Sequence, residues 1–266
     1  MTNSSLTSPY YVESLARGLS VLSAFSEERP VLSLTDISQR LQINKTTTFR
    51  LLSTLESLGY LQRDPQTKLY RPALEILRLG FVVLSGLEVK QVAAPFLRGL
   101  VDEVEETVNL AVLDHHEVVY IDRVGSKHML NVYRPIGSRL PVYCTSTGKS
   151  LLAFLPPEQL EAALTATVWE RRTETTVTTP EALKEQLALV RNRGFADSNG
   201  EMIPELRAVA APIRQHDGQV VATVNISVPS HRVSHEELIG KFGSKVLETA
   251  QQISRALGYN LSKSYV

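Results

Sequence analysis

The segment KTTTFRLLSTLESLG, residues 45–59, constrains the chain more than any other, because its two sides demand different surroundings. At about 100° per residue, Leu51, Leu52, Leu55 and Leu58 gather on one side and predict a helix that buries that stripe. The opposite side carries Thr46, Phe49, Arg50, Ser53 and Ser57, with Lys45 and Thr47 flanking the helix start. That side is donor-rich and cationic and holds no acid, whereas an ordinary solvated face mixes both signs. Asn44 is placed to cap the helix N-terminus, and Gly59 to end it.

Such a helix needs partners, and the flanking sequence offers them. In SLTDISQRL, Ser33 and Asp36 have capping-box spacing, and Leu34, Ile37 and Leu41 form a buried side. Upstream, Leu15, Leu19, Leu22 and Phe25 form an apolar stripe on a helix expected to start near Tyr11 and to end before Pro30. Downstream, residues 60–63 and 68–71 around Asp64-Pro65-Gln66-Thr67 predict a β-hairpin. Helix, turn, helix and hairpin make a winged helix-turn-helix over residues 11–72, preceded by a polar, disordered tail at 1–10.

Charge points the same way. The 266-residue chain has 28 basic and 28 acidic residues, so no net charge draws it to nucleic acid. Between Ser38 and Arg71, however, Arg40, Lys45, Arg50, Arg63, Lys68 and Arg71 face only Glu56 and Asp64. A local cationic patch in a neutral chain suits double-stranded DNA. Arg50 can donate a bidentate pair to guanine, and Thr46 can reach a base or a phosphate. Phe49 has two readings, contact with a thymine methyl or packing against a neighbouring element. Arg63, Lys68 and Arg71 would lie along phosphate from the wing.

The stretches SLARGLSVLSAF, LSLTDISQRLQINKTTTFRLLSTLESLGYLQRD and KLYRPALEILRLG resemble the N-terminal domain of the IclR family of transcriptional regulators. The resemblance implies a dimer, or a dimer of dimers, reading a pseudo-palindromic site. Within the recognition helix, Thr47-Thr48-Phe49 is not a fixed family pattern.

Residues 73–88 read as a linker helix with a stripe of Leu74, Leu77, Phe81 and Leu84, crossed by Gly80 and Gly86. The remainder, 89–260, mixes strands and helices. Residues 109–113, 118–124 and 130–133 predict strands, and 114–117 a polar turn, which explains His115 and His116 better than a metal site does. A helix is expected from Thr147 to Leu155, another over 180–192, and a last one burying Leu238, Phe242, Val246, Ala250, Ile253 and Leu257. Short strands at 195–198, 208–214 and 220–227, the last two joined through Asp217-Gly218, complete an α+β class with an antiparallel sandwich. STGKS is not a nucleotide loop, because Tyr143 stands where that motif requires glycine.

LPVYCTSTGKSLLAFLP, GFADSNGEMIPELRAVAAPI and GQVVATVNISVPSHR resemble the effector domain of the same family, a GAF-like fold. The resemblance implies a small-molecule site at Cys144, Ser146, Thr147 and Gly148, at Asp197, Ser198 and Glu201, and at Asn225 and Ser227. Asn225 and Val228 depart from the family, which often has a small residue and a glycine there. The family's range suggests a small carboxylate effector, and aromatic acids are among the candidates. Cys144 reads equally as a packed small hydrophobe, and Asn225 with Ser227 as a satisfied core pair. Arg134 and Arg139 could draw anions to the loop or be plain surface cations. An enzyme using Cys144 as nucleophile and an adaptor without DNA are the competing functions, and Cys144 has no fixed histidine partner. The single cysteine excludes an intrachain disulfide and a zinc cluster, so neither a cofactor nor a metal is expected. With no signal peptide and no apolar run near ~20 residues, a cytoplasmic protein without a membrane partner is expected.

Overall fold

The computed structural model describes residues 10–125 and 135–260. The expected tail at 1–9 and strand at 130–133, with Arg134, lie outside the described residues. The chain divides between Leu84 and Ser85 into two compact units.

The first unit contains α1 (Glu13–Leu22), α2 (Leu34–Leu41), α3 (Lys45–Ser57), and the antiparallel pair β1 (Leu61–Arg63) and β2 (Tyr70–Pro72). The Ser33–Asp36 capping box forms, with Asp36 N donating to Ser33 Oγ at 3.1 Å and Ser33 N donating to Asp36 Oδ2 at 2.9 Å. Asn44 Oδ1 accepts from Thr47 N at 2.9 Å and starts α3, and Gly59 takes φ 78° just beyond its end. Val21, Ala24, Leu32, Ile37, Leu52, Leu61 and Tyr70 form the core of this unit.

Three sequence expectations need correction here. The first helix stops at Leu22, well before Pro30, because Ser26 and Arg29 exchange backbone hydrogen bonds in a tight turn. Leu15 and Leu19 are 62% and 57% exposed, since α1 turns Val21 to the core instead. Leu58 is 59% exposed, because it falls at the C-cap, where α3 no longer holds it against its partners. Thr48 fills that side instead, fully buried, with Oγ1 donating to Asn44 O at 3.0 Å.

The division falls within α4 (Glu75–Gly86), twelve residues with none buried. Gly80 lies within the helix without interrupting it, and Gly86 closes it. Leu74, Leu77 and Phe81 are exposed, as are Leu79, Val82 and Val83, so apolar residues surround the helix instead of forming one buried stripe.

In the second unit α5 (Glu88–Val104) leads into β3 (Thr107–Asp114), β4 (Glu117–Val124) and β5 (Arg139–Pro141). Then follow α6 (Ser146–Leu152), α7 (Pro157–Ala166), α8 (Pro180–Arg193), β6 (Ala196–Asn199), β7 (Leu206–Arg214) and β8 (Val220–Pro229). A short α9 (His235–Glu237) runs through a π turn, Leu238–Phe242, into α10 (Gly243–Ala256). Expected elements appear with shifted ends, the helix at 147–155 being shorter, while β5 and α7 were not anticipated. The strands pair antiparallel throughout, in the order β5-β4-β3-β8-β7-β6. Strand alternation sends Val108, Leu110, Val224 and Ile226 to the face covered by α5 and α10. The other face, with Ala111 and Tyr120, meets α6 and the cluster that includes Leu183 and Leu187 of α8.

Candidate functional site

In the first unit, α3 presents Lys45, Thr46, Phe49, Arg50 and Ser53 to solvent, with Thr47 half-buried. Phe49 is 48% exposed, so it is not absorbed by a neighbouring element. Neither Lys45 nor Arg50 has an ion-pair partner among the described residues. An exposed cationic side chain without a carboxylate is free to meet phosphate or a base edge.

The wing separates its three cations. Asp64 Oδ1 accepts from Gln66 N at 2.8 Å and Thr67 N at 2.7 Å; these bonds shape the tip and hold the Asp64 carboxyl below its ordinary range. Lys68, in left-handed backbone at φ 60°, donates from Nζ to Pro65 O at 2.6 Å. Arg71 is exposed and donates to Gln62 Oε1 at 2.9 Å. Arg63 pairs in register with Tyr70 and lies over its ring at 5.5 Å, half-buried, with Nε lacking a partner. Lys68 and Arg71 therefore reach solvent, whereas Arg63 is mainly packed.

In the second unit a partly open cavity lies between the sheet and the start of α6. Cys144, Ser146, Thr147, Ser198, Asn225 and Ser227 line it, which brings together six of the nine positions suggested by sequence. The other three lie elsewhere. Gly148 packs under the loop, and a Cβ there would overlap the backbone of Val142. Asp197 follows strand alternation to the face opposite Ser198, paired with Arg193 and with His235 Nε2 at 2.8 Å. Burial pushes its pKa up, but these two partners outweigh that and hold the carboxyl below its ordinary range. Glu201 Oε1 accepts from Lys149 Nζ at 2.6 Å, and Lys149 also reaches Gln186 Oε1 at 3.0 Å. Both ends of that pair are buried, and burial, the dominant cause, raises the Glu201 pKa.

Sequence reading missed Thr107, Asn109, Tyr120 and Arg123 among the lining residues. Thr107 and Asn109 stand opposite Ser227 and Asn225 in the β3–β8 register. A register shift between Leu110 and Ala111 turns both Tyr120 and Arg123 to the cavity face, although they are three residues apart. The period-2 alternation of polar Thr107 and Asn109 with apolar Val108 and Leu110 was the available signal.

The cavity's polar atoms form a chain. Asn109 Nδ2 donates to Asn225 Oδ1 at 2.9 Å, and Asn225 Nδ2 donates to Ser227 Oγ at 3.0 Å. Two buried oxygens, Asn109 Oδ1 and Thr147 Oγ1, have no partner. Cys144 contacts Met202 Sδ at 3.6 Å, and burial pushes its thiol up to about 11. That shift opposes the thiolate a nucleophile needs. Arg139 is held by Asp114 and by Glu117 at 3.0 Å, away from the cavity. Among the described residues no group of three His, Cys, Asp or Glu could hold a metal ion, and no helix is long and apolar enough to cross a membrane.

Two family models match the chain: the IclR helix-turn-helix domain over residues 14–65, and the bacterial transcriptional regulator IclR C-terminal domain over residues 81–255. The HTH-type transcriptional regulator KdgR of Escherichia coli (strain K12) is 33% identical over 252 residues, covering 95% of each chain. The crystal structure of an IclR family transcriptional regulator from Brucella abortus is 31% identical, with TM-score 0.83 over 96% of both chains. An IclR homolog from Microbacterium hydrocarbonoxydans, complexed with 4-hydroxybenzoate, is 29% identical with TM-score 0.76, covering 92% of this chain and 98% of that one.

Proposed function

The chain belongs to the IclR family and is a transcriptional regulator, and on that premise we propose that it binds a pseudo-palindromic promoter site as a dimer and responds to a small carboxylate. The observation that carries this reading is the presence, in one chain, of an exposed, acid-free cationic face on α3 and of a partly enclosed cavity in the second unit whose largely apolar wall carries a few polar side chains. Lys45, Thr46, Thr47, Phe49, Arg50 and Ser53 would meet the major groove, with Lys68 and Arg71 on phosphate. Arg63 would support the wing through Tyr70. Two-fold symmetry would separate the half-sites by about 34–36 Å, one helical turn of DNA.

The exposed apolar residues of α4 and Leu15 and Leu19 of α1 support the dimer, since such surfaces are normally covered in soluble regulators. Arg123, Thr147 and Ser146 in the cavity wall suit a carboxylate, and the 4-hydroxybenzoate complex of the Microbacterium homolog makes an aromatic acid a natural first probe. Cys144, Ser198, Asn225 and Ser227 would complete the contacts to it. Gly148, Asp197 and Glu201 would act by holding the wall in place. The protein would work in the cytoplasm, where promoter DNA is. Selection of bound genome fragments by the purified protein, at fixed salt, tests the reading when small carboxylates are added afterward. A palindromic site released or tightened by one acid is the expected result. Absence of any sequence-specific fragment, with or without acids, would sink it.

A further inference from the structure

Asn109 is 3% exposed, and its Oδ1 is buried without a partner in the cavity wall. Its Nδ2 gives one hydrogen to Asn225 Oδ1 at 2.9 Å, which fixes how the amide is turned. Asn225 is fixed in turn by donating to Ser227 Oγ at 3.0 Å. The chain of amides therefore leaves at its end the Asn109 carbonyl oxygen, buried and without a partner, an atom that only accepts. Ser198 is occupied with Cys144 O at 3.3 Å, and Thr147 Oγ1, also unpartnered, can either donate or accept. A buried acceptor left without a donor carries its full desolvation cost, and a ligand that brings the donor removes it.

We infer that Asn109 selects the effector by demanding a hydrogen-bond donor from it, so that the cavity takes a hydroxyl-bearing acid in preference to its dehydroxy analogue. The carboxylate half of this statement rests on the function proposed above, and the hydroxyl half rests on Asn109 alone. A second carboxylate in place of the hydroxyl would set acceptor against acceptor and is rejected. Asn109 is thus a specificity-determining residue, and Asn225 and Ser227, beside their own contacts to the effector, hold its amide.

Calorimetric titration of the full chain with matched pairs tests this: 4-hydroxybenzoate against benzoate, 3-(4-hydroxyphenyl)propionate against 3-phenylpropionate, and 4-hydroxybutanoate against butanoate. Terephthalate and 4-methylphenol complete the set. In at least one pair the hydroxy acid binds about 10- to 100-fold more tightly, the range expected when a buried polar group is otherwise left unpaired. Asn109→Leu brings that ratio close to one, and Asn109→Ala does the same should the leucine variant melt early. Equal affinities within the pair that binds, or a ratio that survives both variants, overturns the role of Asn109 and leaves the carboxylate reading standing. Binding of 4-methylphenol that is as tight as any acid and is lost in Asn109→Leu keeps Asn109 and sinks the carboxylate. Failure of every probe to bind the wild-type chain overturns both.

Discussion

At the scale of single residues, burial separates side chains that look alike in sequence. Arg50 and Arg63 are both cations of the reader unit, but only Arg50 is exposed and without an ion-pair partner among the described residues, whereas Arg63 lies over Tyr70. Arg50→Ala should therefore weaken specific DNA binding by about 1–3 kcal/mol, the worth of a bidentate base contact, and leave the melting temperature unchanged. Equal weakening on non-specific DNA would reassign Arg50 to phosphate. Asp197 offers a test by pH. Its folded-state pKa lies below the unfolded value because of Arg193 and His235, so its stabilisation is present above about pH 4 and is lost as pH falls below that. Asp197→Asn should be less stable than wild type at neutral pH and should flatten the acid limb of the stability curve. Denaturant unfolding from pH 7 down to pH 3 measures the difference.

At the scale of elements, the cavity wall depends on a buried clamp. Lys149 of α6 grips Glu201 at 2.6 Å, and Glu201 sits in the 200–205 connection whose Met202 and Ile203 line the cavity. Lys149→Met strands a buried carboxylate and should cost about 3–5 kcal/mol, whereas Lys149→Met with Glu201→Leu should regain most of it. Urea unfolding of the two variants reads both values. The same elements mark how far the sequence could be read. Helices α2 and α3 were legible from Ser33, Asp36, Asn44 and Gly59, because caps are local signals. The β7–β8 hairpin was legible from Asp217-Gly218 for the same reason. The exposure of Leu15 and Leu19 was not, since periodicity reveals an apolar side without revealing what covers it. Strand β5 is three residues at a sheet edge, ending in Pro141, too short for any period to register. Helix α7 did leave a trace, with Pro157 at its first turn and Leu160, Ala163 and Leu164 buried. The alternation around Asn109 showed which side of the strand it takes, but its partner was out of reach, because Asn225 lies 116 residues away in sequence and opposite it in register.

At the scale of the whole molecule, the two compact units are joined through α4, whose twelve residues include none that is buried. A free helix of that length is marginal in water, because nucleation costs more than so few turns return. A partner covering the apolar surface of α4 would lend it the stability its length does not supply. Under the dimer reading the lender is a second copy, and mass action then governs secondary structure as well as assembly. Progressive dilution should cost helical ellipticity at 222 nm in step with dissociation seen by sedimentation, before either compact unit melts. Ellipticity that holds constant through dissociation would make α4 self-sufficient and break that link. If the link holds, the abundance of the chain is itself a signal, written into whether one stretch of backbone is coiled or loose.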